Sequence, residues 1–220
     1  MVVDGQRQEK FKVLSYKYSP LAYSPDATYI GNSGIINEGE NDFGTLELEI
    51  YLEAENQDKM HNELSQLNKI FRVCVLEFDE TTVEYVCSLK SFNVEKITPV
   101  HTKVNITFDA YSRGKLVEVS LSNTSNSIVI KGNLTTDVEY EFKPSGSKDM
   151  VKINDIEIKN VTGGQTYLLS GIKKKVVANG KNIFNDTNIF KFPSLEPGEN
   201  TITLNHSDIN LKLRYYPRYY

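Results

Sequence analysis

Residues 45–71 read TLELEIYLEAENQDKMHNELSQLNKIF, and their hydrophobic period changes part-way along. In Thr45–Glu53, leucine and isoleucine alternate with polar residues, which is the two-residue period of a strand with one buried and one wet face. From Asn56 to Phe71, apolar residues recur at helical spacing. Asn56 can cap this helix, and Asp58 lies in the first turn, where the helix dipole favours an anion. The stretch therefore predicts one strand followed by one helix.

Apolar segments that follow this stretch indicate further strands. Arg72–Phe78 and Thr82–Leu89 are predicted to form a hairpin, and residues 103–110 alternate as another strand. The first half of the chain thus predicts the order β-α-β-β-β, with the helix covering one face of an antiparallel sheet. The hairpin brings Cys74 and Cys87 onto neighbouring strands, where they are expected as small apolar core residues. Two cysteines are too few for a disulfide framework or a zinc site.

The second half of the chain has a different charge and a different pattern. Residues 1–120 carry 12 basic and 19 acidic groups, whereas residues 121–220 carry 13 basic and 10 acidic groups. The polar stretch 120–127 lies at this change and is interpreted as a linker, which divides the chain into domains 1–122 and 123–220. Short strands are predicted beyond it at Ile128–Lys131, Val138–Phe142, Met150–Ile153, Ile156–Lys159, Gln165–Leu169, Lys173–Val177, Phe190–Phe192, Asn200–Leu204 and Asn210–Tyr215. Many short strands without a helix indicate a β-sandwich or jelly roll.

Residues 11–36 are rich in tyrosine, serine, proline and glycine. Four tyrosines are spaced too closely for chance loop residues: Tyr16, Tyr18, Tyr23 and Tyr29. One interpretation is a strand-loop-strand whose rings pack on the core of the same chain. The other is an arm that wraps a neighbouring subunit, because tyrosine is favoured at interfaces.

The segment Glu38–Asp58 contains eight acidic residues and no basic residue. A solvated acidic face explains this composition. A surface that meets a basic partner, or a lumen that repels a polyanion passing through it, explains it as well. Composition alone leaves these interpretations open.

Several classes of function have no support in the sequence. No apolar run approaches the roughly 20 residues of a membrane helix, the N-terminus has no signal-peptide core, and a net charge of −4 disfavours a reader of nucleic-acid phosphates. His61, His101 and His206 lack metal-ligand spacing, and Asn185–Asn188 fits an Asx-turn better than a calcium loop. No phosphate-binding loop or nucleophile elbow is present. We therefore expect a soluble, non-enzymatic protein without a cofactor, made in a reducing compartment.

The end of the chain carries a more specific pattern. Residues 192–202 read FPSLEPGENTI, and residues 210–220 read NLKLRYYPRYY. These segments resemble the end of distal tail proteins of long, non-contractile-tailed phages that infect Gram-positive bacteria, in which a Pro-Gly-Glu-Asn turn precedes the last strands. The element order of the N-terminal half is also similar. The chain departs from that family in its short length and in lacking tryptophan.

The resemblance implies a mainly β protein, with an N-terminal tail-tube-like antiparallel β domain that has one α-helix and a C-terminal galectin-like β-sandwich. Its implied role is a distal tail hub, a hexameric ring between the tail tube protein and the tail-associated tip protein. Phage DNA only passes through such a ring, and a receptor-binding protein or a glycan attaches to the outer domain. The protein is then a part of the virion at the tail tip, made in the host cytoplasm and without contact to a membrane.

The resemblance also assigns roles to groups of residues. The implied subunit contacts are Tyr16, Tyr18, Tyr23 and Tyr29. The implied lumen acids are Glu38, Glu40, Asp42, Glu47 and Glu49. If the outer domain binds a glycan, the aromatic side chains that could stack on it are Tyr215, Tyr216, Tyr219 and Tyr220, although Tyr215 and Tyr216 end an apolar strand and core and edge packing is the favoured explanation for them. The competing hypotheses are a carbohydrate-binding module for cell-wall glycans and another tail-tube-like component.

Overall fold

The structure, a computed structural model, describes two compact units of the chain. The described residues are 1–20, 26–30, 33–37 and 43–219, with only the backbone described for 26–30 and 33–37. Unit 1 contains Met1–Arg113 and unit 2 contains Gly114–Tyr219. The charge pattern predicted a boundary after residue 122, but the structure divides the chain earlier, after Arg113. The reason is that Val117–Leu121 pairs with Leu211–Tyr215 as a strand of unit 2.

Unit 1 is one antiparallel sheet with one helix. Its elements are β1 (Val2–Val3), β2 (Gln6–Arg7), β3 (Phe11–Ser19), β4 (Asp26–Ile30), β5 (Ser33–Asn37), β6 (Gly44–Glu53), α1 (Gln57–Ile70), β7 (Val73–Glu77), β8 (Glu84–Thr98) and β9 (His101–Arg113). The strands of the sheet follow the order β2-β1-β7-β8-β9-β6-β3, and β4 pairs with β5 separately. The predicted order of strand, helix, hairpin and strand is confirmed.

Local signals in the sequence explain why α1 begins and ends where it does. The side chain of Asn56 accepts a hydrogen bond from the backbone N–H of Lys59 at 2.9 Å, which satisfies one of the free donors of the first turn. At the other end, the backbone N–H of Phe71 donates to the carbonyl of Leu67. Met60 and Leu67 are buried in the same core as the leucines of β6. The helix therefore covers the apolar face of the sheet and leaves the other face polar.

Unit 2 consists of short antiparallel strands around a second core. Its elements are β10 (Val117–Leu121), β11 (Ser125–Ile130), β12 (Thr136–Phe142), β13 (Lys148–Ile153), β14 (Ile156–Val161), β15 (Tyr167–Ser170), β16 (Lys175–Ala178), β17 (Lys181–Asn182), a 3-10 turn (Phe184–Asp186), β18 (Ser194–Leu195), β19 (Gly198–Thr203), β20 (Leu211–Tyr215) and β21 (Arg218–Tyr219). The larger sheet has the order β10-β20-β12-β15-β16-β17, while β11 pairs with β19 and β13 with β14. The inward side chains of all these sheets share one hydrophobic core. Together the two units confirm the mainly β fold with one α-helix.

Two expectations about unit 2 were wrong. The polar stretch 120–127 is not a linker, since it contains the end of β10 and the start of β11, joined by a turn in which the Asn126 side chain donates to the carbonyl of Asn123 at 2.6 Å. Phe190–Phe192 forms no strand. Both segments carry local patterns that tertiary contacts override.

Candidate assembly surfaces

The described residues show no candidate metal site. They contain no group of three or more histidine, cysteine or acidic side chains that could hold a metal ion. His101 Nδ1 lies 2.7 Å from the hydroxyl of Tyr51, and His206 Nε2 lies 2.9 Å from the carbonyl oxygen of Met150. Nor does that part of the chain include a helix long and apolar enough to cross a membrane.

The cysteine pair belongs to the core of unit 1. Cys74 lies directly opposite Cys87 in the β7–β8 pair, as the sequence predicts, and both are buried free thiols. A hydrogen bond with Cys74, together with burial, raises the pKa of the Cys87 thiol. The Cys87 thiol therefore stays protonated, and both cysteines pack as small apolar side chains.

The sheet of unit 1 has two stretches of free strand edge, at β3 and along the second part of β8. On one side it ends at β3, beyond which no strand of the described residues lies. On the other side β7 pairs only with the first part of β8, up to Ser88, and a last hydrogen bond joins Leu89 N to Arg72 O. Within the described part of the chain, residues 90–98 of β8 therefore pair only with β9. Such edges present rows of backbone donors and acceptors that are ready to pair with another strand.

The hydrogen-bond alternation shows which backbone groups face these edges. In an antiparallel pair, every second residue exchanges hydrogen bonds with its partner. The bond from Ala54 N to Val100 O, at 3.0 Å, sets this alternation for β6 and β9. It follows from the register that the N–H and C=O of Val94 point away from β9. The same groups of Tyr16 and Tyr18 point away from β6, so they face the β3 edge.

Exposed apolar side chains border the β8 edge. Val73, which begins β7 opposite Ser88, is 73% exposed, and Val94 and Ile97 are exposed along the free part of β8. Ile70, at the end of α1, is exposed as well. They do not form one patch, since Val73 lies opposite Ser88 on the polar face of the sheet, whereas Val94 lies opposite the buried Val104 on the apolar face.

The predicted interface tyrosines fall in several environments. The ring of Tyr16 stacks on Phe78 with 3.7 Å between centroids, and the ring of Tyr18 lies 5.0 Å from that of Tyr85. Burial raises the pKa of both Tyr16 and Tyr18, and Glu80 adds to the rise at Tyr16. These two rings therefore pack on their own unit, while their backbone groups face the edge. Tyr29 lies in β4, whose side chains are not described, and Tyr23 lies outside the described residues.

The polar face of the sheet carries the two predicted lumen acids that the structure describes. Glu47 is exposed on it, whereas Glu49 forms an ion pair with Lys103 on β9 at 2.9 Å. This pair holds the pKa of Lys103 above its usual value. Asp109 forms another pair, with Lys90, at 3.1 Å. The face is thus of mixed charge. The other predicted lumen acids, Glu38, Glu40 and Asp42, lie outside the described residues.

The predicted glycan-contact tyrosines are not equivalent. Tyr215 is 2% exposed, and its hydroxyl accepts a hydrogen bond from the backbone N–H of Lys131 at 3.3 Å. Because it belongs to the core of unit 2, its ring has no free face for a sugar, and its assignment as a glycan contact was wrong. Tyr216 and Tyr219 are half-buried, and Tyr220 lies outside the described residues.

The sequence analysis did not predict an ion cluster on the larger sheet of unit 2. Arg214 on β20 contacts Glu118 at 2.6 Å, Glu141 at 2.8 Å and Glu139 at 3.3 Å. The carboxylates raise the pKa of Arg214, and the guanidinium holds the pKa of Glu118 below its usual range. The alternating Glu139 and Glu141 of β12 were the available signal, but only the strand register places them beside Arg214.

A model of the family described as "Siphovirus-type tail component, C-terminal domain" matches residues 97–219, which is more than half of the chain. No curated protein matches the chain.

Solved structures of phage tail proteins share the fold. One is the crystal structure of the Dit protein of phage SPP1, described as a paradigm of the hub adsorption apparatus in phages that infect Gram-positive bacteria. It aligns over 100% of this chain and 98% of its own, with a TM-score of 0.75 and 16% identity. Two structures of the phage p2 baseplate in its activated conformation, with Sr and with Ca, align at TM-scores of 0.56 and 0.57 and 11% identity. Each covers 94% of this chain and 90% of its own. At these identities the likeness shows the fold.

Proposed function

The chain belongs to the siphovirus-type tail component family, and from this premise we propose that it forms the hub ring at the distal end of a phage tail. Six copies surround a channel, between the tail tube protein and the tail-associated tip protein. Unit 1 builds the ring and unit 2 is the outer domain, where a receptor-binding protein attaches. The role is structural, without turnover, and the chain reaches the tail tip after synthesis in the host cytoplasm.

The observation that carries the proposal is the pair of free edges on one sheet. The four longest strands, β8, β9, β6 and β3, are neighbours in that order, and every pair among them is antiparallel. Because their number is even, β3 of one copy would meet β8 of the next in antiparallel orientation. A head-to-tail contact of this kind forms a ring when the rotation between copies closes. Ring closure also removes the exposed edges, which are an aggregation hazard in a single copy.

The polar face of the same sheet suits the channel. In the proposed ring α1 covers the outer face of the strands, and the side of Glu47, Glu49 and Lys103 lines the opening. Paired charges there keep the wall hydrophilic without a basic surplus that would hold DNA phosphates. The predicted acids Glu38, Glu40 and Asp42 would add negative charge to this wall.

The test measures mass and location. Light scattering behind a sizing column should give about six times the 25.0 kDa chain mass, or twice that for back-to-back rings, and negative-stain images should show six-fold particles. Gold-labelled antibodies should bind virions only at the tail tip. Label along the whole tail would instead favour a tail tube subunit. A protein that is absent from tail tips, and that binds a cell-wall glycan array as a monomer, would favour the carbohydrate-binding alternative.

A further inference from the structure

Three phenylalanines, of which Phe192 is half-buried against the core, and two lysines define a surface region of unit 2, which we call the aromatic–lysine surface. Its members are Phe184, Phe190, Phe192, Lys174 and Lys191. The side chain of Phe190 is fully exposed, and Phe184 is largely exposed. The rings of Phe184 and Phe192 lie 6.5 Å apart, and Lys174 Nζ lies 5.9 Å from the centre of the Phe192 ring. The three phenylalanines come after β17 in the chain, and β17 is the last strand of the larger sheet.

The segment that carries Phe190 is fixed on both sides. Before it, the side chain of Asn188 accepts a hydrogen bond from Glu157 N at 2.7 Å, and the next residue, Ile189, is buried. After it, the carbonyl of Pro193 accepts a hydrogen bond from Val138 N at 3.1 Å. The ring of Phe190 therefore projects from an anchored backbone. Removal of an apolar side chain of this size from water would favour association with a partner.

The surroundings of these rings are basic. Residues 171–193 contain five lysines and one acidic residue, Asp186, which accepts a hydrogen bond from the Asn160 side chain. Lys174 pairs with Asp137 at 2.8 Å. Among the described residues, no carboxylate lies within ion-pair distance of Lys191, which is exposed and follows Phe190 in the chain. The surface thus combines an apolar projection with a positive border.

We propose that the aromatic–lysine surface docks a protein of the tail tip, in which an apolar pocket bordered by carboxylates receives Phe190. A single aromatic anchor in a desolvated pocket, with charged residues at the rim, is the usual arrangement of a binding hot spot. The lysines would select a partner with an acidic rim and speed its approach. Phenylalanine has no polar group to bond sugar hydroxyls, and a projecting ring fits a pocket better than a flat sugar face. The inference rests on the proposed hub function, because it takes the partner from the tail tip.

Photocrosslinking in assembled tails tests this docking. The photoreactive residue p-benzoylphenylalanine replaces Phe190 in the full chain, the tails are irradiated, and crosslinked peptides are identified by mass spectrometry. The matched control carries the same group at Val129, which is 64% exposed on β11 of the same unit. We expect position 190 to link to one other tail protein, at a peptide that contains aspartate or glutamate, with about tenfold the yield at position 129. The additional change Lys191→Glu should lower this yield several-fold.

Each other outcome overturns the docking. Equal yields at positions 190 and 129, adducts only on carbohydrate, or adducts only on further copies of this chain would each do so. The hub function is checked separately in the same particles, by gold labelling of the wild-type chain at the tail tip. If the wild-type chain is absent there, the hub function fails and the docking inference falls with it. If it is present and position 190 gives no specific link, only the docking fails.

Discussion

A proline at position 94 tests whether the free edge of β8 builds the ring. The N–H of Val94 points away from β9, so Val94→Pro removes a donor that unit 1 does not use. Proline is tolerated at an edge strand when its missing N–H faced solvent. We therefore expect the free energy of unfolding of the single chain to change by less than about 1 kcal/mol. The same change removes a hydrogen bond from a neighbouring strand and puts the proline ring in its path.

The size of the effect follows from ring closure. One lost hydrogen bond costs about 1 kcal/mol at each contact. A ring of six contacts then loses about 6 kcal/mol of assembly free energy. For six single chains in equilibrium with one ring, the concentration at half assembly varies as the fifth root of the overall dissociation constant. It should therefore rise about eightfold, and about 60-fold if the displaced strand costs about a further 1 kcal/mol at each contact.

Sedimentation over a concentration series measures this shift. Val94→Ala is the matched control, since it keeps the N–H while it removes most of the exposed side chain. Equal half-assembly concentrations for the two variants would refute edge pairing at this residue. A large loss of single-chain stability in Val94→Pro would show that the N–H is used within unit 1, and that the assigned alternation is wrong.

Three further predictions concern the stability of each unit. Asn56→Ala should lower the free energy of unfolding of unit 1 by about 1 kcal/mol in denaturant titration, because the first turn of α1 loses its cap. Arg214→Met should lower the free energy of unfolding of unit 2 by about 2 kcal/mol, since it leaves Glu139, which is 7% exposed, without its cation. The control Lys212→Met removes an exposed lysine and should change this free energy little. Equal losses in the two variants would contradict the prediction. The pKa of Glu118 is lower in the folded chain than its ordinary 4.5, so its contribution is complete above about pH 4.5 and is lost as the pH falls through the folded value. Thermal unfolding of Glu118→Gln should therefore depend less on pH between about 5 and 3 than that of the wild type.

The sequence was most informative where local and tertiary preferences agree. The alternation of Thr45–Glu53 and the capped helix after it predicted β6 and α1 closely, because one face of each is buried in the same core. Alternation also ran through Leu211, Leu213 and Tyr215, which places all three on one face of β20. The interpretation of Tyr215 as a glycan contact conflicted with that period, and the period proved the better guide.

The free edges could not be predicted, since they depend on strand register. The sequence predicted a strand only to Leu89, whereas β8 continues to Thr98. Beyond Leu89 most side chains are exposed on both faces, so no hydrophobic period marks the strand. The exposure of Phe190 is equally non-local, because an aromatic residue between apolar neighbours ordinarily indicates a buried strand.

The assignment of Tyr16 and Tyr18 shows how one strand serves two purposes. Their rings pack inward on Phe78 and Tyr85, while their backbone groups face the free edge of β3. A contact between subunits made through such an edge would use main-chain hydrogen bonds, which every residue type except proline can supply. Substitutions that keep the strand should therefore leave assembly intact, and substitutions that remove a backbone donor should not. Register would then be set by the shape of the edge, including the bulge between Val13 and Ser15, rather than by particular side-chain pairs.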